Sequence, residues 1–526
     1  MVEAIKELLE DYGRKIKNHD ELEMAKRSAC KKYGLAAILN SDILREYRRL
    51  VKDGRLSAIP SLVRVLRKRA VRTMSGIAPV AVLTKPYPCP GHCAYCPHES
   101  DVPTSYLSNE PAVMRAIRCS YDPYKQVISR LRSLENNGHE PTKIEIIVIG
   151  GTWSYLPTKY KYWYILNCFK AANDYQNRKI DFQNFYRRGL SLENIRRLLR
   201  REQKKNEAAK YKIIGLTLET RPDYITTKEL LEMRDLGCTR VEIGVQAVDD
   251  AILKKNRRGH GVKEIAEATE LLKRFGFKVT YHLMPALPGS TPAKDLELFK
   301  RLFSDGRFQP DQIKFYPTVV TKGSLLYKWY RTGQYQPYSD KVLQNLIVKC
   351  KAAVPIYVRI IRLIRDIPEE SIMAGNKITN LRQIMQARGV KCDCIRCREV
   401  KDGVVKAGGR LNVLKYPASG GTEYFISADS RDQKTLYGFC RLRADYDSPI
   451  APALIRELHV YGELVPMGGA KKIQHSGLGT RLLAEAEKLA HQAGIKKIAV
   501  ISGVGVRGYY RKKGYRLVGN YMIKKI

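Results

Sequence analysis

Three cysteines in one short loop have the most distinctive chemistry in this chain. Cys89, Cys93 and Cys96 have the spacing C-x3-C-x2-C and follow an apolar run that predicts a strand. Three thiolates from one loop can bind three irons of a four-iron cluster and leave the fourth iron without a protein ligand. A zinc site is the alternative, but it needs a fourth ligand, and neither His92 nor His98 stands at an established spacing.

A second group, Cys392, Cys394 and Cys397, has the spacing C-x-C-x2-C. These thiolates are most simply ligands of a structural zinc ion that holds a linker, with a fourth ligand from elsewhere in the chain. A second iron–sulfur cluster is the alternative interpretation. The other six of the 12 cysteines are scattered singly, which indicates metal or cluster use in a reducing compartment and not a disulfide framework.

The charge of the chain indicates a nucleic-acid partner. Its 526 residues include 94 Lys and Arg against 53 Asp and Glu, a net charge of +41. Such an excess repels itself unless an anionic partner compensates it, and with 32 tyrosines available for stacking we expect RNA. A generally basic proteome is the alternative. With no signal-like N-terminus and no apolar run long enough for a membrane span, we expect a cytoplasmic protein without a membrane partner.

The apolar pattern divides the chain into four parts. Residues 1–75 predict short helices, and 18 Lys and Arg against 10 Asp and Glu indicate a small basic helical module that binds RNA phosphates. Residues 76–370 alternate β-branched runs with helical segments and predict an α/β fold, a partial (β/α)6 barrel of parallel strands. Residues 371–400 are a linker with the second cysteine group, and residues 401–526 form an α+β domain. The barrel strands are predicted at 77–83, 144–149, 213–218, 240–245, 278–283 and 312–316.

Polar residues and glycines stand at the ends of these predicted strands, where the catalytic residues of such barrels gather. Gly150 and Gly151 follow the second strand, and their lack of a side chain lets backbone carbonyls approach a ligand closely. One such segment alone is weak evidence for a site, but their regular placement after the predicted strands indicates one. The candidates at the strand ends are Gly150, Gly151, Thr152, Glu219 and Gln246.

A polar insertion, residues 159–212, separates the second and third predicted strands. It holds 15 Lys and Arg against 5 Asp and Glu, with aromatic residues between them. This composition suits looped RNA, whose unstacked bases rest on aromatic rings. A plain amphipathic helix around 195–200 is the competing interpretation for that helix alone. The interleaved aromatic residues are Tyr160, Tyr162, Trp163, Tyr164, Tyr175 and Tyr186.

A glycine motif near the C-terminus predicts a phosphate site. Gln474, Gly477 and Gly479 form a Q-x-x-G-x-G pattern before a predicted helix at 478–492. Glycines at this point free the backbone, so that N–H groups at a helix N-terminus can bind a pyrophosphate. A simple helix start is the alternative. The surrounding predicted strands are 424–427, 437–442, 453–461 and 497–501.

These motifs resemble two known folds and one family that combines them. The first cysteine loop resembles the radical S-adenosylmethionine (SAM) superfamily, and residues 474–479 resemble the GCN5-related N-acetyltransferase fold. With segments 110–118, 219–224, 456–462 and 501–505, nearly the whole chain resembles the tRNA uridine(34) acetyltransferases, the family of the catalytic subunit of Elongator. The resemblance implies an acyltransferase that uses acetyl-CoA and SAM radical chemistry to form 5-carboxymethyluridine at the tRNA wobble position.

The same resemblance implies roles for particular residues. Cys89, Cys93 and Cys96 would be the ligands of a 4Fe-4S cluster, and the strand-end candidates would contact SAM. Tyr509, Tyr510 and Glu457 are the candidate catalytic residues, with Glu457 activating water. The implied acetyl-CoA contacts are Lys143, Glu457, Leu458, His459, Val460, Gln474, Gly477, Leu478, Gly479 and Tyr509.

The implied partners are the tRNA anticodon stem-loop, an electron-donor protein, and either Elongator subunits or a second copy of the chain. Two other functions compete. A protein lysine acetyltransferase would use the C-terminal domain alone with a structural cluster, but the basic surface would repel a lysine-rich tail. A tRNA-binding scaffold would have decayed catalytic motifs, whereas both motifs here are intact.

Overall fold

The computed structural model describes residues 1–66, 76–176, 181–183, 185–400, 409–461 and 477–526. Its first part is a group of helices around a small apolar core of their own. Arg48 joins this group to the rest of the protein, since its Nη1 donates to the carbonyl oxygen of Glu135 at 2.7 Å. The helices are α1 (Val2–Tyr12), α2 (His19–Tyr33), α3 (Asn40–Lys52) and α4 (Pro60–Leu66).

The first sheet has seven parallel strands, whose order in the sheet follows their order in the chain. Parallel strands joined by helices in this order curl into an open barrel, which confirms the predicted fold. The sequence predicts six of them but not β8, because Arg-Ile-Ile-Arg is too short to show a pattern. The strands are β1 (Ile77–Leu83), β2 (Lys143–Ile149), β3 (Lys212–Thr220), β4 (Arg240–Gln246), β5 (Lys278–Leu283), β6 (Gln312–Phe315) and, after a short β7 (Val320–Thr321), β8 (Arg359–Arg362).

Helices cover the outside of the barrel. Several begin at a side chain that accepts a hydrogen bond from the first turn, such as Asp122 from the Lys125 N–H and Thr291 from the Lys294 N–H. Among the described residues, no helix is long and apolar enough to cross a membrane. The helices are α5 (Pro111–Arg118), α6 (Pro123–Asn136), α7 (Thr158–Asp174), α8 (Leu192–Asn206), α9 (Thr227–Asp235), α10 (Asp250–Lys255), α11 (Val262–Arg274), α12 (Pro292–Ser304), α13 (Leu325–Arg331) and α14 (Asp340–Ala352).

The aromatic residues of the insertion are part of the barrel's core, so the interpretation that they stack RNA bases is wrong. Tyr162, Trp163 and Tyr164 of α7 are at most 2 % exposed. The Tyr162 hydroxyl donates to Asp235 Oδ2 at 2.8 Å, and Trp163 Nε1 donates to the Tyr186 carbonyl oxygen at 2.6 Å. Buried rings whose polar atoms are paired inside the protein are packing residues. Tyr160 and Tyr175 are also buried, and Tyr186 is partly buried against the same core.

A linker and a second sheet follow the barrel. The second sheet has the order β10-β11-β12-β13-β14-β16-β15 and is mostly antiparallel, but β13 and β14 run parallel. The domain boundaries at 75, 370 and 400 stay predictions, and residues 67–75 and 401–408 lie outside the described part. The elements are β9 (Ile372–Ala374), α15 (Leu381–Ala387), α16 (Ile395–Arg398), β10 (Arg410–Ala418), β11 (Gly421–Asp429), β12 (Leu436–Ala444), β13 (Ala453–Val460), α17 (Leu478–Gln492), β14 (Lys497–Val500), α18 (Arg507–Arg511), β15 (Arg516–Val518) and β16 (Tyr521–Lys525).

The second sheet packs against the amino-terminal edge of the barrel strands. Gly503 follows β14, and a Cβ added there would lie only 1.9 Å from the carbonyl oxygen of Ile214 in β3. Only glycine lets the two backbones come this close. Phe439 and Leu454 belong to the same apolar core as the barrel residues, so the two sheets share one core.

A buried ion network completes this junction. Asp311 precedes β6 and is fully buried, and Arg456 of β13 donates to its two carboxylate oxygens at 2.9 and 2.5 Å. Arg441 of β12 lies 3.5 Å from the same carboxylate. Burial alone would raise the pKa of Asp311, but the two guanidinium groups lower it well below its usual value. The carboxylate therefore remains charged and joins the two sheets.

Candidate active site in the barrel lumen

One cavity of about 950 Å³ runs through the barrel lumen and is lined by both halves of the protein. At the carboxyl ends of the strands it reaches Cys89, Cys93 and Cys96. At the amino ends it reaches Glu457 and His459 of the second sheet. The structure therefore places the two predicted sites at opposite ends of one space.

The cysteine loop is fixed to its neighbours by backbone hydrogen bonds. The Ala94 N–H donates to the carbonyl oxygen of Asn256 at 3.0 Å, and the Leu326 N–H donates to that of Ala94 at 2.7 Å. Asn256 follows α10 and Leu326 lies in α13, so two separate elements position the loop. The loop therefore has a fixed place at the mouth of the barrel.

Of the three cysteines, Cys93 favours the thiolate form that binds metals. Cys93 is 6 % exposed, and its Sγ accepts a hydrogen bond from Arg258 Nη1 at 3.2 Å. The hydrogen bond from the Cys96 thiol and the charge of Arg258 outweigh burial and lower the pKa of Cys93 to about 4. Cys89 Sγ lies 3.8 Å from Thr152 Oγ1. These three thiols, on one loop beside a buried cation, suit an anionic iron–sulfur cluster.

The candidate SAM residues surround this loop. Gly150 has φ +146°, and a Cβ there would lie 2.2 Å from Thr84 Oγ1, so the turn after β2 requires glycine. Gln246 ends β4 with φ +69°, and its Oε1 is buried without a hydrogen-bond partner among the described residues. A buried carbonyl without a partner is expensive unless a ligand supplies a donor. The geometry of this end therefore fits a bound group with hydrogen-bond donors, as an amino group has.

Charged residues cross the middle of the lumen. Glu242 of β4 is 1 % exposed and accepts hydrogen bonds from Lys314 Nζ and, at 2.8 Å, from His282 Nε2. His282 Nδ1 lies 3.4 Å from Glu219 Oε1. Burial would raise the pKa of Glu242, but the Lys314 ammonium and His282 lower it well below its usual value. Glu219, Glu242 and His282 have the atom types of a metal site, but Lys314 already compensates Glu242.

The second half contributes two strands that diverge at the lower end of the lumen. β13 and β14 pair only over Ala453–Ile455 and Ile498–Val500, and beyond these residues they separate. The separating segments, 456–459 and 501–503, line the cavity. An opening between two parallel strands exposes backbone N–H and C=O groups that an extended ligand can pair with.

Two side chains of β13 differ in their charge state at this opening. Burial would raise the pKa of Glu457, but Lys278 and Arg441 lower it, and Arg441 Nε donates to Glu457 Oε2 at 3.0 Å. Burial lowers the pKa of His459 to about 4, and its ring stacks on Phe439. At neutral pH the opening therefore presents an ionised carboxylate and a neutral imidazole.

The glycine motif and the tyrosines meet on the other side of β13. A Cβ on Gly479 would lie 3.2 Å from the Tyr509 hydroxyl and 3.6 Å from Val460 Cγ2, so these three residues are in contact. Gly477 has φ +77° and precedes Leu478, the first residue of α17. Tyr510 is buried and lines the cavity, whereas Tyr509 is 37 % exposed and does not.

One of the predicted acetyl-CoA residues, Lys143, lies apart from this cluster. Lys143 begins β2 at the barrel edge that the second sheet covers, and burial lowers its pKa. Gln474 lies outside the described residues.

The second cysteine group is compact, and none of its three cysteines lines the cavity, although the neighbouring Arg396 does. The Sγ atoms of Cys392, Cys394 and Cys397 all lie within 4.8 Å of one another. Hydrogen bonds from the other two thiols outweigh burial and lower the pKa of Cys394 to about 2. Three converging thiols fit a tetrahedral metal site, and the described residues supply no fourth ligand of the usual types to this group.

Sequence reasoning missed several residues that shape the site. Arg258 contacts Cys93 from 165 positions away, and Lys314 pairs with Glu242 from 72 positions away. No local sequence pattern predicts such contacts. A lysine inside a buried strand, as in Gln-Ile-Lys-Phe, does indicate that another buried group compensates its charge.

Comparison with known families agrees with this geometry. The radical SAM superfamily profile matches residues 87–302, and the radical SAM C-terminal domain profile matches residues 310–389. The acetyltransferase (GNAT) family profile matches residues 410–515. The radical SAM profiles therefore cover most of the barrel, with its cysteine loop, and the acetyltransferase profile covers most of the second sheet, which lines the other end of the cavity.

Relatives extend over nearly the whole chain. A tRNA uridine(34) acetyltransferase of Dehalococcoides mccartyi is 45 % identical over 477 residues, which are 87 % of this chain and 100 % of that protein. Elongator complex protein 3 of Homo sapiens is 37 % identical and covers 100 % of this chain and 96 % of its own length. The solved structure of an N-terminally truncated Elp3 from Methanocaldococcus infernus has a TM-score of 0.72 at 37 % identity, over 86 % of this chain and 100 % of that one. This chain belongs to the family of radical SAM acyltransferases that contains the tRNA uridine(34) acetyltransferases and Elongator complex protein 3.

Proposed function

We propose that this protein forms 5-carboxymethyluridine at the wobble uridine of tRNA from acetyl-CoA and SAM. The relatives that are named tRNA uridine(34) acetyltransferases support the RNA substrate. The observation that carries the chemistry is the single cavity that joins the cysteine loop to the opening between β13 and β14. Because the two cofactor sites open onto one cavity, SAM and acetyl-CoA can take part in the same reaction.

The reaction must convert an unreactive methyl group into a carbon that can bond to the uridine. The acetyl methyl of acetyl-CoA is a poor acid, so a side-chain base is unsuited to activate it. A 4Fe-4S cluster with SAM, when bound at Cys89, Cys93 and Cys96, supplies a 5′-deoxyadenosyl radical that can remove a hydrogen atom instead. The acetyl carbon would then bond to C5 of the uridine, one electron would return to the oxidised cluster, and the C5 proton would pass to water. Water would finally cleave the thioester to a carboxymethyl group and free coenzyme A.

The lumen brings these reactants together from its two ends. β2 has seven residues, so at about 3.3 Å per residue the ends lie on the order of 20 Å apart. The acyl end of acetyl-CoA enters between β13 and β14, while the uridine enters beside the cysteine loop. The protein's contribution is to position three reactants and to exclude water from the radical.

Residues of the chain have specific roles in this scheme. Gly150, Gly151, Thr152, Glu219 and Gln246 hold SAM beside the loop. Glu457, ionised and oriented by Arg441, accepts a proton from the water that attacks the thioester. Tyr509 and Tyr510 lie on either side of the acyl path. The acetyl-CoA contacts are Lys143, Leu458, His459, Val460, Gln474, Gly477, Leu478 and Gly479.

The basic surface provides the tRNA contacts. With the aromatic residues of α7 buried, phosphate contacts from exposed cations are the remaining source of affinity in the insertion, for example from Arg197, Arg200 and Arg201 of α8. Such binding is strongly salt-dependent. The scheme also needs an electron-donor protein, and the Elongator relatives support partner subunits as an alternative to a homo-oligomer.

The second cysteine group binds zinc in this proposal. Its thiols converge within 4.8 Å, and this compactness suits a structural ion. Elemental analysis of the purified protein should find about one zinc per chain. Replacing Cys394 by Ala should remove it, while zinc that persists in that variant would exclude this site.

The function is tested with anaerobically reconstituted protein, SAM, a reductant, acetyl-CoA and unmodified tRNA. We expect 5′-deoxyadenosine and 5-carboxymethyluridine, and neither product from the variant with both Cys93→Ala and Cys96→Ala. Lys263→Gln, an exposed lysine on α11, should leave both products unchanged. Acetylated lysine peptides without a change in the tRNA would replace this proposal by protein lysine acetylation.

A further inference from the structure

Two buried arginines lie beside the cysteine loop. Arg258, in the turn after α10, is 7 % exposed, and Arg221, directly after β3, is 5 % exposed. A buried guanidinium is costly unless anions or hydrogen-bond acceptors compensate it. The groups around the two arginines therefore indicate which anion compensates their charge.

Arg258 is directed at the cysteine loop by the end of β4. Its Nη2 donates to the Gly244 carbonyl oxygen at 2.6 Å, and its Nη1 donates to Cys93 Sγ at 3.2 Å. Within the described part of the chain, no carboxylate lies within 4.0 Å of this guanidinium, and its Nε has no partner. The charge of Arg258 is therefore compensated mainly from the side of the sulfur atoms.

Arg221 is held differently. Its Nε and Nη2 donate to the Asp223 carboxylate at 3.0 and 2.8 Å, and Nη2 also donates to the Arg258 carbonyl oxygen at 2.8 Å. Its Nη1 is buried without a partner among the described residues. A Cβ on Gly91 would lie 2.3 Å from this nitrogen, so the free N–H faces the loop backbone between the first two cysteines.

A four-iron cluster on three thiolates carries a net negative charge, which grows by one on reduction. A cation in a poorly polarisable interior stabilises the more negative state more strongly, so it raises the reduction potential. Arg258 touches a sulfur atom directly and has no carboxylate partner among the residues that the structure describes. Arg221 is partly neutralised by Asp223.

We propose that Arg258, with Arg221 as a weaker second cation, sets the reduction potential of the cluster at Cys89, Cys93 and Cys96. Arg258 is a positioning residue that acts through Cys93 and touches no substrate. The inference rests on the cluster of the proposed function but is independent of its RNA substrate and of acetyl-CoA.

The test is a redox titration of the reconstituted full chain, followed by the electron paramagnetic resonance signal of the reduced cluster. Arg258→Gln should lower the equilibrium constant for reduction at least tenfold, a shift of about 59 mV to lower potential for one electron. Arg221→Gln should shift it in the same direction by less. Arg258→Lys, which keeps the charge, should remain within threefold of the wild type.

The matched control is Arg257→Gln. Arg257 is the neighbouring residue and is exposed, so the same charge is removed from the same loop, but in contact with water. Water and salt screen such a charge, and we expect no measurable shift in potential. Iron content is measured for every variant, so that loss of the cluster is separated from a change in its potential.

The outcomes separate this inference from the proposed function. The inference is supported if the reduction potential falls in Arg258→Gln but stays at the wild-type value in Arg258→Lys. It is also supported if the cluster assembles in Arg258→Lys but not in Arg258→Gln. An unchanged potential in Arg258→Gln overturns it, as does loss of the cluster in both variants, which would assign Arg258 a purely geometric role. Wild-type protein that holds no cluster would instead contradict the proposed function.

Discussion

At the carboxyl ends of the barrel strands the cavity is lined by loops, whereas at the amino ends it is lined by two diverging strands. The upper end depends on backbone contacts that fix a loop, as between Ala94 and Asn256. The lower end depends on strand register, because β13 and β14 pair over only three residues before they part. The upper site can therefore vary by loop exchange, whereas the lower site changes only if the sheet itself changes.

The two ends also differ in charge. The upper end presents the cation of Arg258 to its sulfur atoms, and the lower end presents the carboxylate of Glu457 between Arg441 and Lys278. A cation suits an anionic cluster, and a carboxylate suits proton transfer to or from water. The comparison predicts that each end can be disabled without the other.

The largest effect should come from Glu457→Gln, which removes the base at the lower end. Hydrolysis of the acetyl-CoA thioester should fall about 100-fold, since a positioned base contributes this much or more. The rate of coenzyme A release, followed with a thiol reagent, measures this step. SAM cleavage to 5′-deoxyadenosine should continue, because the upper end is unchanged.

Two results would contradict this separation of roles. Glu457→Gln with unchanged thioester hydrolysis would remove Glu457 from the reaction. Loss of 5′-deoxyadenosine formation in the same variant would show that the two ends are not independent. Glu267→Gln, an exposed carboxylate of α11, is the control and should change neither rate.

A smaller effect on activity but a clear one on stability should come from Asp311→Asn at the junction between the two halves. This change leaves Arg456 and Arg441 buried with less compensation, and breaking such a pair costs about 3–5 kcal/mol in the free energy of unfolding. Urea denaturation measures the loss. The exposed control Glu267→Gln should stay within about 0.5 kcal/mol, and an equally stable Asp311→Asn would show that the network does not hold the halves together.

The smallest effect concerns pH and the neutral His459. Its pKa is about 4 in the folded protein against 6.5 in the unfolded chain, so the unfolded state binds the proton first. The stability that it contributes is therefore present above pH 6.5 and lost as the pH falls from 6.5 to 4. The difference in free energy of unfolding between wild type and His459→Asn should narrow over this range. A constant difference would mean that His459 is not held neutral.

Much of the fold could be predicted from local patterns. The helix 478–492 agrees with α17 residue for residue, and six barrel strands lie where β-branched runs predict them. The cysteine loop could be found because its three cysteines stand within eight residues. In each case the residues that decide the structure are neighbours in sequence.

The contacts that join distant elements could not be predicted in this way. Asp311 and Arg456 are 145 positions apart, and no local sequence pattern predicts that they pair. The aromatic residues of α7 misled for a related reason. Basic neighbours indicate an exposed segment, but only Lys159 of α7 is exposed, while Lys161 and the rings are buried. Composition shows which residues are present and not which way they face.

The close approach of Gly503 to Ile214 gives the acetyltransferase sheet a second use. This sheet covers the amino-terminal mouth of the barrel apart from the opening between β13 and β14, and so would limit the access of bulk solvent to the space in which a carbon radical would form in the proposed function. A barrel cut off after residue 389 would be open to solvent and dissolved oxygen from below, and oxygen would quench that radical even with Cys89, Cys93 and Cys96 in place. In the proposed function the fused domain would therefore close the reaction space as well as bind acetyl-CoA.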